Sequence, residues 1–247
     1  MNIITSKKSA FRTAALVVIG ALLSACGGSD DKAVPMTMMD SYSYQIEVSN
    51  LTNNQPLSPL LISLNDGRFM PWVEGSSASV ALEKLAEGGD NSELLTAAQH
   101  ADSGSYKVIS ADGPTGAGAS KAWIVEFETA HESIPTVHLS LAAMLVNSND
   151  AFTGVDSLSL ESLAVGDYKM NYYPAFDAGT EINSELIGSI PGPADGGTGY
   201  SETRDDIDFV HIHPGVISSD DGLADSVLNA GHKFDNPVLS IKVTRLE

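Results

Sequence analysis

From Tyr44 onward the chain is a succession of short apolar segments, interrupted at close intervals by clusters of Gly, Asp, Pro and Ser. Tyr44 to Val48 alternates, with apolar residues at 44, 46 and 48, the pattern of a strand with one buried face. Leu57–Leu64 (broken by Pro59), Tyr106–Ser110, Ala122–Thr129, Thr136–Val146, Ser157–Leu160, Gly166–Tyr173, Phe209–His213 and Val238–Leu246 are further strand candidates. Turn chemistry separates them, as in Asp112–Gly118, Pro191–Gly199 and Ser218–Gly222. Two segments have helical spacing instead. One is Ala78–Ala86, with Val80, Leu82, Leu85 and Ala86 on one side and Gly88-Gly89 as a stop. The other is Asn91–Gln99, with Asn91 as the expected N-cap. Many short strands joined by turns predict an all-β fold, an antiparallel sandwich or barrel.

The first residues read differently. Lys7, Lys8 and Arg12 precede the apolar run Thr13–Leu23, which ends in Ser24-Ala25-Cys26. A basic start, an apolar run and small residues at a cut make a secretory signal. The run is about half the roughly 20 residues needed to span a bilayer. Leu23-Ser24-Ala25-Cys26 resembles the lipobox of bacterial lipoproteins. That resemblance implies cleavage of a 1–25 signal peptide and lipid on Cys26, and Gly27 after the cysteine implies sorting to the outer membrane. Two or more acyl chains anchor a protein stably where one does not. Residues 26–42 are then a lipidated cysteine and flexible linker, and residues 43–247 the domain. Cys26 is the one cysteine in the sequence, so the domain must stand on its core without a disulfide.

The formal net charge is −19, and loss of Lys7, Lys8 and Arg12 with the leader deepens it by three to −22. A domain this acidic repels nucleic acid and anionic headgroups, which removes those ligand classes, while it attracts cations. The sequence contains no Gly-Lys-Ser/Thr after Gly113–Gly118, no Gly-x-Ser-x-Gly and no EF-hand spacing.

Several segments in order resemble the spondin N-terminal domain family: Val48–Pro59, Gly75–Ser79 with Leu85–Asp90, Ala143–Val155, Phe176–Glu181, His213–Val216 and Asn236–Arg245. The resemblance covers Tyr44 to Glu247. It implies an eight-stranded antiparallel sandwich similar to a C2 domain, with a short helical insertion. It also implies a non-enzymatic module that binds proteins or glycans, with a divalent-cation site, usually calcium, at one end. The family's ligand positions fall on Asp150, Asp177 and Glu181. Glu181 stands where the family has aspartate, and Ala151 where it commonly has tryptophan.

The residues themselves agree with such a site. Calcium prefers six to eight oxygens, several from carboxylates. Asp150 follows a strand ending near Val146 and Asp177 one ending near Tyr173. If these pair with Ser157–Leu160 between them, both loops emerge at one end, and Gly179 lets the second loop curl. Two other readings stay open. His211 and His213 lie two apart on a strand and, with His232, would form a hydrolytic zinc site. Alternatively, the acidic loops are only solvated and the protein is a structural part of the cell envelope. Trp72, in a loop, is expected at the surface.

Overall fold

The computed structural model describes residues 38–131 and 135–247. The expected signal peptide, Cys26 and residues 27–37 of the expected linker lie outside the described residues. Ten strands and two helices follow one another: β1 (Met39–Asn50), β2 (Leu61–Asn65), α1 (Val80–Gly88), α2 (Ser92–Gln99), β3 (Ser105–Ser110), β4 (Ser120–Ala130), β5 (His138–Met144), β6 (Ala151–Ser159), β7 (Tyr168–Tyr173), β8 (Ala175–Asp177), β9 (His211–Ile212) and β10 (Leu239–Arg245). They form a four-stranded sheet in the order β4-β1-β10-β7 and a six-stranded sheet in the order β3-β2-β5-β6-β8-β9, with every pairing antiparallel. The all-β sandwich holds, with ten strands in place of eight.

The two sheets bury their facing residues. Tyr44, Ile46 and Val48 of β1, Ile241 and Val243 of β10, and Val125 and Phe127 of β4 meet Ile62, Leu64, Leu139, Leu141, Ala143 and Val155. The four-stranded sheet keeps its outer face in water, which is why β1 alternates. The six-stranded sheet is covered on both faces. Leu61, Ala142, Phe152 and Phe176 point away from the main core and are covered by Trp72, Leu82, Leu85, Ala86 and Leu94. Burial on both faces explains the apolar run Leu141–Met144 in β5. Trp72, expected at the surface, is only 6% exposed. Its ring meets Phe152 edge-on at 5.0 Å and Phe176 at 5.5 Å, because the helical layer needs a large side chain to fill its contact with the sheet.

Helix α1 starts where the Ser79 hydroxyl accepts from the Leu82 N–H (3.2 Å), and stops at Gly89, which is left-handed. Asn91 occupies the N-cap position of α2, but its side chain makes no capping bond. Its side chain instead donates to Pro59 O and Ser110 Oγ, both at 2.9 Å, tying the helix to the sheet, while Asp90 Oδ1 accepts from the Ser92 N–H.

Strand β6 begins at Ala151, well before the expected Ser157. Gly154 hides its start, because a glycine within a run usually signals a break. Here the β5 backbone passes so close that a Cβ at 154 would sit 1.9 Å from Leu141 O. The chain thus pairs Ala151 directly with Asp177 across β6 and β8, and the strand at Tyr168–Tyr173 joins the opposite sheet. The linkage between the two acidic positions is tighter than the expected one, with no strand between them.

Candidate functional site

Asp150 immediately precedes β6 and Asp177 ends β8, so the pairing of these strands sets the two acids side by side at one end of the six-stranded sheet. Both are fully buried. Asp177 Oδ1 accepts from the Gly179 N–H at 2.8 Å, which turns the chain back on itself. Gly179 is left-handed (φ +71°), and a Cβ there would lie 2.4 Å from Phe209 O. The turned backbone then aims its N–H groups at Asp150: Oδ2 accepts from Thr180 N (2.8 Å), Glu181 N (3.2 Å) and Thr180 Oγ1 (3.3 Å). The other oxygen, Asp150 Oδ1, is buried without any partner.

Burial, and then the neighbouring Asp177 carboxylate, push the Asp150 carboxyl up to about 8, against the three donors that favour its charged form. Desolvation and like charge outweigh hydrogen bonding here. At neutral pH Asp150 holds a proton in the absence of a cation.

The acid pair has a polar second layer. Asn183 Nδ2 donates to Asp177 Oδ2 at 2.7 Å, and its Oδ1 receives His213 Nε2 at 3.2 Å. His213 Nδ1 accepts from the Gly215 N–H at 2.9 Å, so its ring is the neutral Nε2–H tautomer. Burial pushes its pKa down to about 4, in agreement. His211 lies on the other carboxylate oxygen, with Nδ1 3.8 Å from Asp177 Oδ1, while His213 Nε2 is 3.9 Å from Oδ2.

Glu181 stands apart. Its backbone touches Asp150, but its carboxylate accepts from Asn149 Nδ2 at 2.9 Å. Burial, with Glu87 and Asp205 nearby, raises its pKa to about 7. The structure therefore brings together two of the three acids expected to ligate a cation, and holds the third on the same loop but facing Asn149. Among the described residues no group of three or more His, Cys, Asp and Glu side chains converges to hold a metal ion.

The donors present nonetheless suit a hard cation. One buried carboxylate oxygen has no partner, a second buried carboxylate adjoins it, and among the described residues no Lys or Arg forms an ion pair with either acid. Oxygen donors and carboxylates are calcium chemistry. The histidine reading fits poorly. Both His213 nitrogens are engaged, and His232 Nδ1 is occupied in its own turn by the Asn229 N–H at 3.1 Å. His211 and His213 thus flank Asp177 as outer partners, and His232 does not join them in a metal-holding group.

Sequence reasoning missed Thr180, Asn183 and Asn149, which hold the acids in place. Asn183 lies six residues beyond Asp177 in a stretch without regular structure, so no periodicity marks it. It missed as well that Glu83 and Glu87 of α1 are buried, each with one unpartnered oxygen. Glu83 is held by Arg204 (2.7 Å) and Glu87 by the Ser201 N–H (2.8 Å), so α1 is fastened to the loop beyond the site.

The Spondin_N family model matches residues 49–185, more than half the chain and inclusive of Asp150, Asp177 and Glu181. No curated protein matches it.

Proposed function

We propose that this chain, which belongs to the Spondin_N family, is a binding module displayed at the cell envelope, with a divalent-cation site at one end of its sandwich. The family fits an extracellular binding or adhesion-type module, and a non-enzymatic domain. In our reading lipid on Cys26 tethers the module to the outer membrane, the residues between Cys26 and β1 hold it clear of the surface (the last four of the expected 26–42 linker, Met39 to Tyr42, belong to β1 and pair with β4), and its ligand is a protein or glycan.

The observation that carries the cation site is Asp150 Oδ1, buried and unpartnered beside the Asp177 carboxylate. Leaving such a group unsatisfied costs roughly 1–3 kcal/mol. A divalent ion replacing the Asp150 proton removes that cost and the repulsion together. Asp150 and Asp177 hold the ion, and Glu181 adds a third carboxylate by leaving Asn149. Calcium fits the oxygen-only donors best. The ion's role is structural: it fixes the loops on which a ligand would dock.

Calorimetric titration of calcium into chelator-stripped Cys26→Ser chain tests this reading. Saturable binding, lost in the Asp150→Asn/Asp177→Asn double variant, is the expected result. Heats no larger than dilution would leave a scaffold whose acidic end binds no cation.

A further inference from the structure

A sandwich of two open sheets has four edge strands, and each edge is a template for pairing unless it is blocked. Three are blocked here. Helix α2 packs against β3. Strand β9 has only two residues. Strand β4 puts Glu126 and Glu128 on its outer face. Strand β7 carries a single charge, Lys169, and its Nζ is turned back onto Ser159 O of β6 at 2.8 Å rather than along the free edge. Six residues long, it pairs with β10 on one side, and among the described residues no strand pairs with the other.

The register with β10 settles which side chains face out. Lys169, Asn171 and Tyr173 lie opposite the core residues Val243, Ile241 and Leu239, so Tyr168, Met170 and Tyr172 occupy the outer face. They are 62%, 45% and 59% exposed. Along the strand this file reads Tyr-x-Met-x-Tyr, the same in both directions.

We propose that β7 is the pairing edge of a symmetric dimer of this chain. The pairing is antiparallel about a two-fold axis at Met170 and joins two four-stranded sheets into one of eight. A symmetric interface requires a self-complementary strip, and this file is one. Tyr168 falls opposite Tyr172 of the second copy, Met170 opposite Met170, and Lys169 opposite Asn171. Aromatic pairs directly across strands are among the favourable ones. Neighbouring registers are worse. A one-residue slip sets outer-face residues against core-face ones. Centring on Lys169 places two lysines opposite each other, and centring on Asn171 sets Pro174, which has no N–H, across from Tyr168.

Sedimentation velocity of the full chain carrying Cys26→Ser, over a wide concentration range, tests the proposal. The expected result is a monomer–dimer equilibrium that Met170→Lys weakens ~5-fold, since two like charges then stand directly opposite. Circular dichroism confirms that this surface variant keeps its sheet content. Adding Met170→Cys to the Cys26→Ser chain gives a disulfide-linked dimer on mild oxidation. Opposed Cα atoms in an antiparallel pair are about 4.5–5.5 Å apart, within disulfide reach. This reading holds even if Met170→Lys fails to fold. Asn171→Cys should cross-link far less. A chain that is monomeric at every concentration, a dimer indifferent to Met170→Lys, or preferential cross-linking through Asn171→Cys would overturn the proposal.

Discussion

At Asp150 two effects oppose each other. Three donors from Thr180 and Glu181 favour the charged carboxylate, while burial and the Asp177 carboxylate favour the neutral acid, and the second pair wins. Asp150→Asn keeps an acceptor for the three donors and removes the titrating group. At pH 8 in chelator it should melt no lower than the parent, yet lose the melting-temperature rise that calcium gives the parent. A calcium response of parental size in the variant would show that the ion binds elsewhere. Gly179 is a second sensitive position. Ala there meets both a left-handed backbone and the Phe209 carbonyl, which should cost ~2 kcal/mol or more in urea unfolding. The sequence exposes these residues unevenly. Asp150, Asp177 and Glu181 are visible through a family pattern, and Gly179 through its place in a short acidic loop. The Asn149 contact that turns Glu181 aside, and the Asn183–His213 layer behind Asp177, arise from chain segments 30 or so residues apart. Local patterns carry no trace of them.

At the scale of elements, β1, β4 and β10 are readable because one face is wet and the other buried, so composition alternates along them. Strand β6 is obscured by the glycine that β5 requires, and β8, only three residues long and directly after Pro174, is too short to show any period. Helix α1 carries its own test of how the end loop is held. Arg204 joins Glu83, which is 2% exposed, and also donates to Ala78 O at 2.8 Å. Arg204→Met leaves a buried carboxylate without its partner, and should destabilise by ~3 kcal/mol in denaturant unfolding. The double variant Arg204→Met/Glu83→Gln should recover most of that loss. A single variant as stable as the parent would mean that the ion pair does not fasten the loop to the helix.

For the whole molecule, acid–base linkage follows from three buried groups, Asp150, Glu185 and His213, and the half-buried Glu181. Asp150 is raised to about 8, and Glu181 and Glu185 each to about 7, largely by burial. A carboxyl raised on folding keeps its proton in the folded state. Its contribution is complete below the unfolded value near 4 and is lost as pH rises through the folded value. His213, pushed down to about 4, acts in the opposite sense: it stabilises above its unfolded value near 6.5, and this is lost as pH falls towards 4. Cation-free protein should therefore be most stable in mildly acidic solution and lose stability steadily from there to about pH 8. A cation exchanged for the Asp150 proton works where the proton is scarce, so its benefit grows with pH.

The most direct test is the melting temperature of the Cys26→Ser chain from pH 5 to pH 9, measured in chelator and in saturating calcium. The two curves should run close together at pH 5 and diverge through neutrality, with calcium abolishing most of the alkaline loss. Curves that coincide across the range, or a calcium effect as large at pH 5 as at pH 8, would contradict proton-for-cation exchange at Asp150 and Asp177.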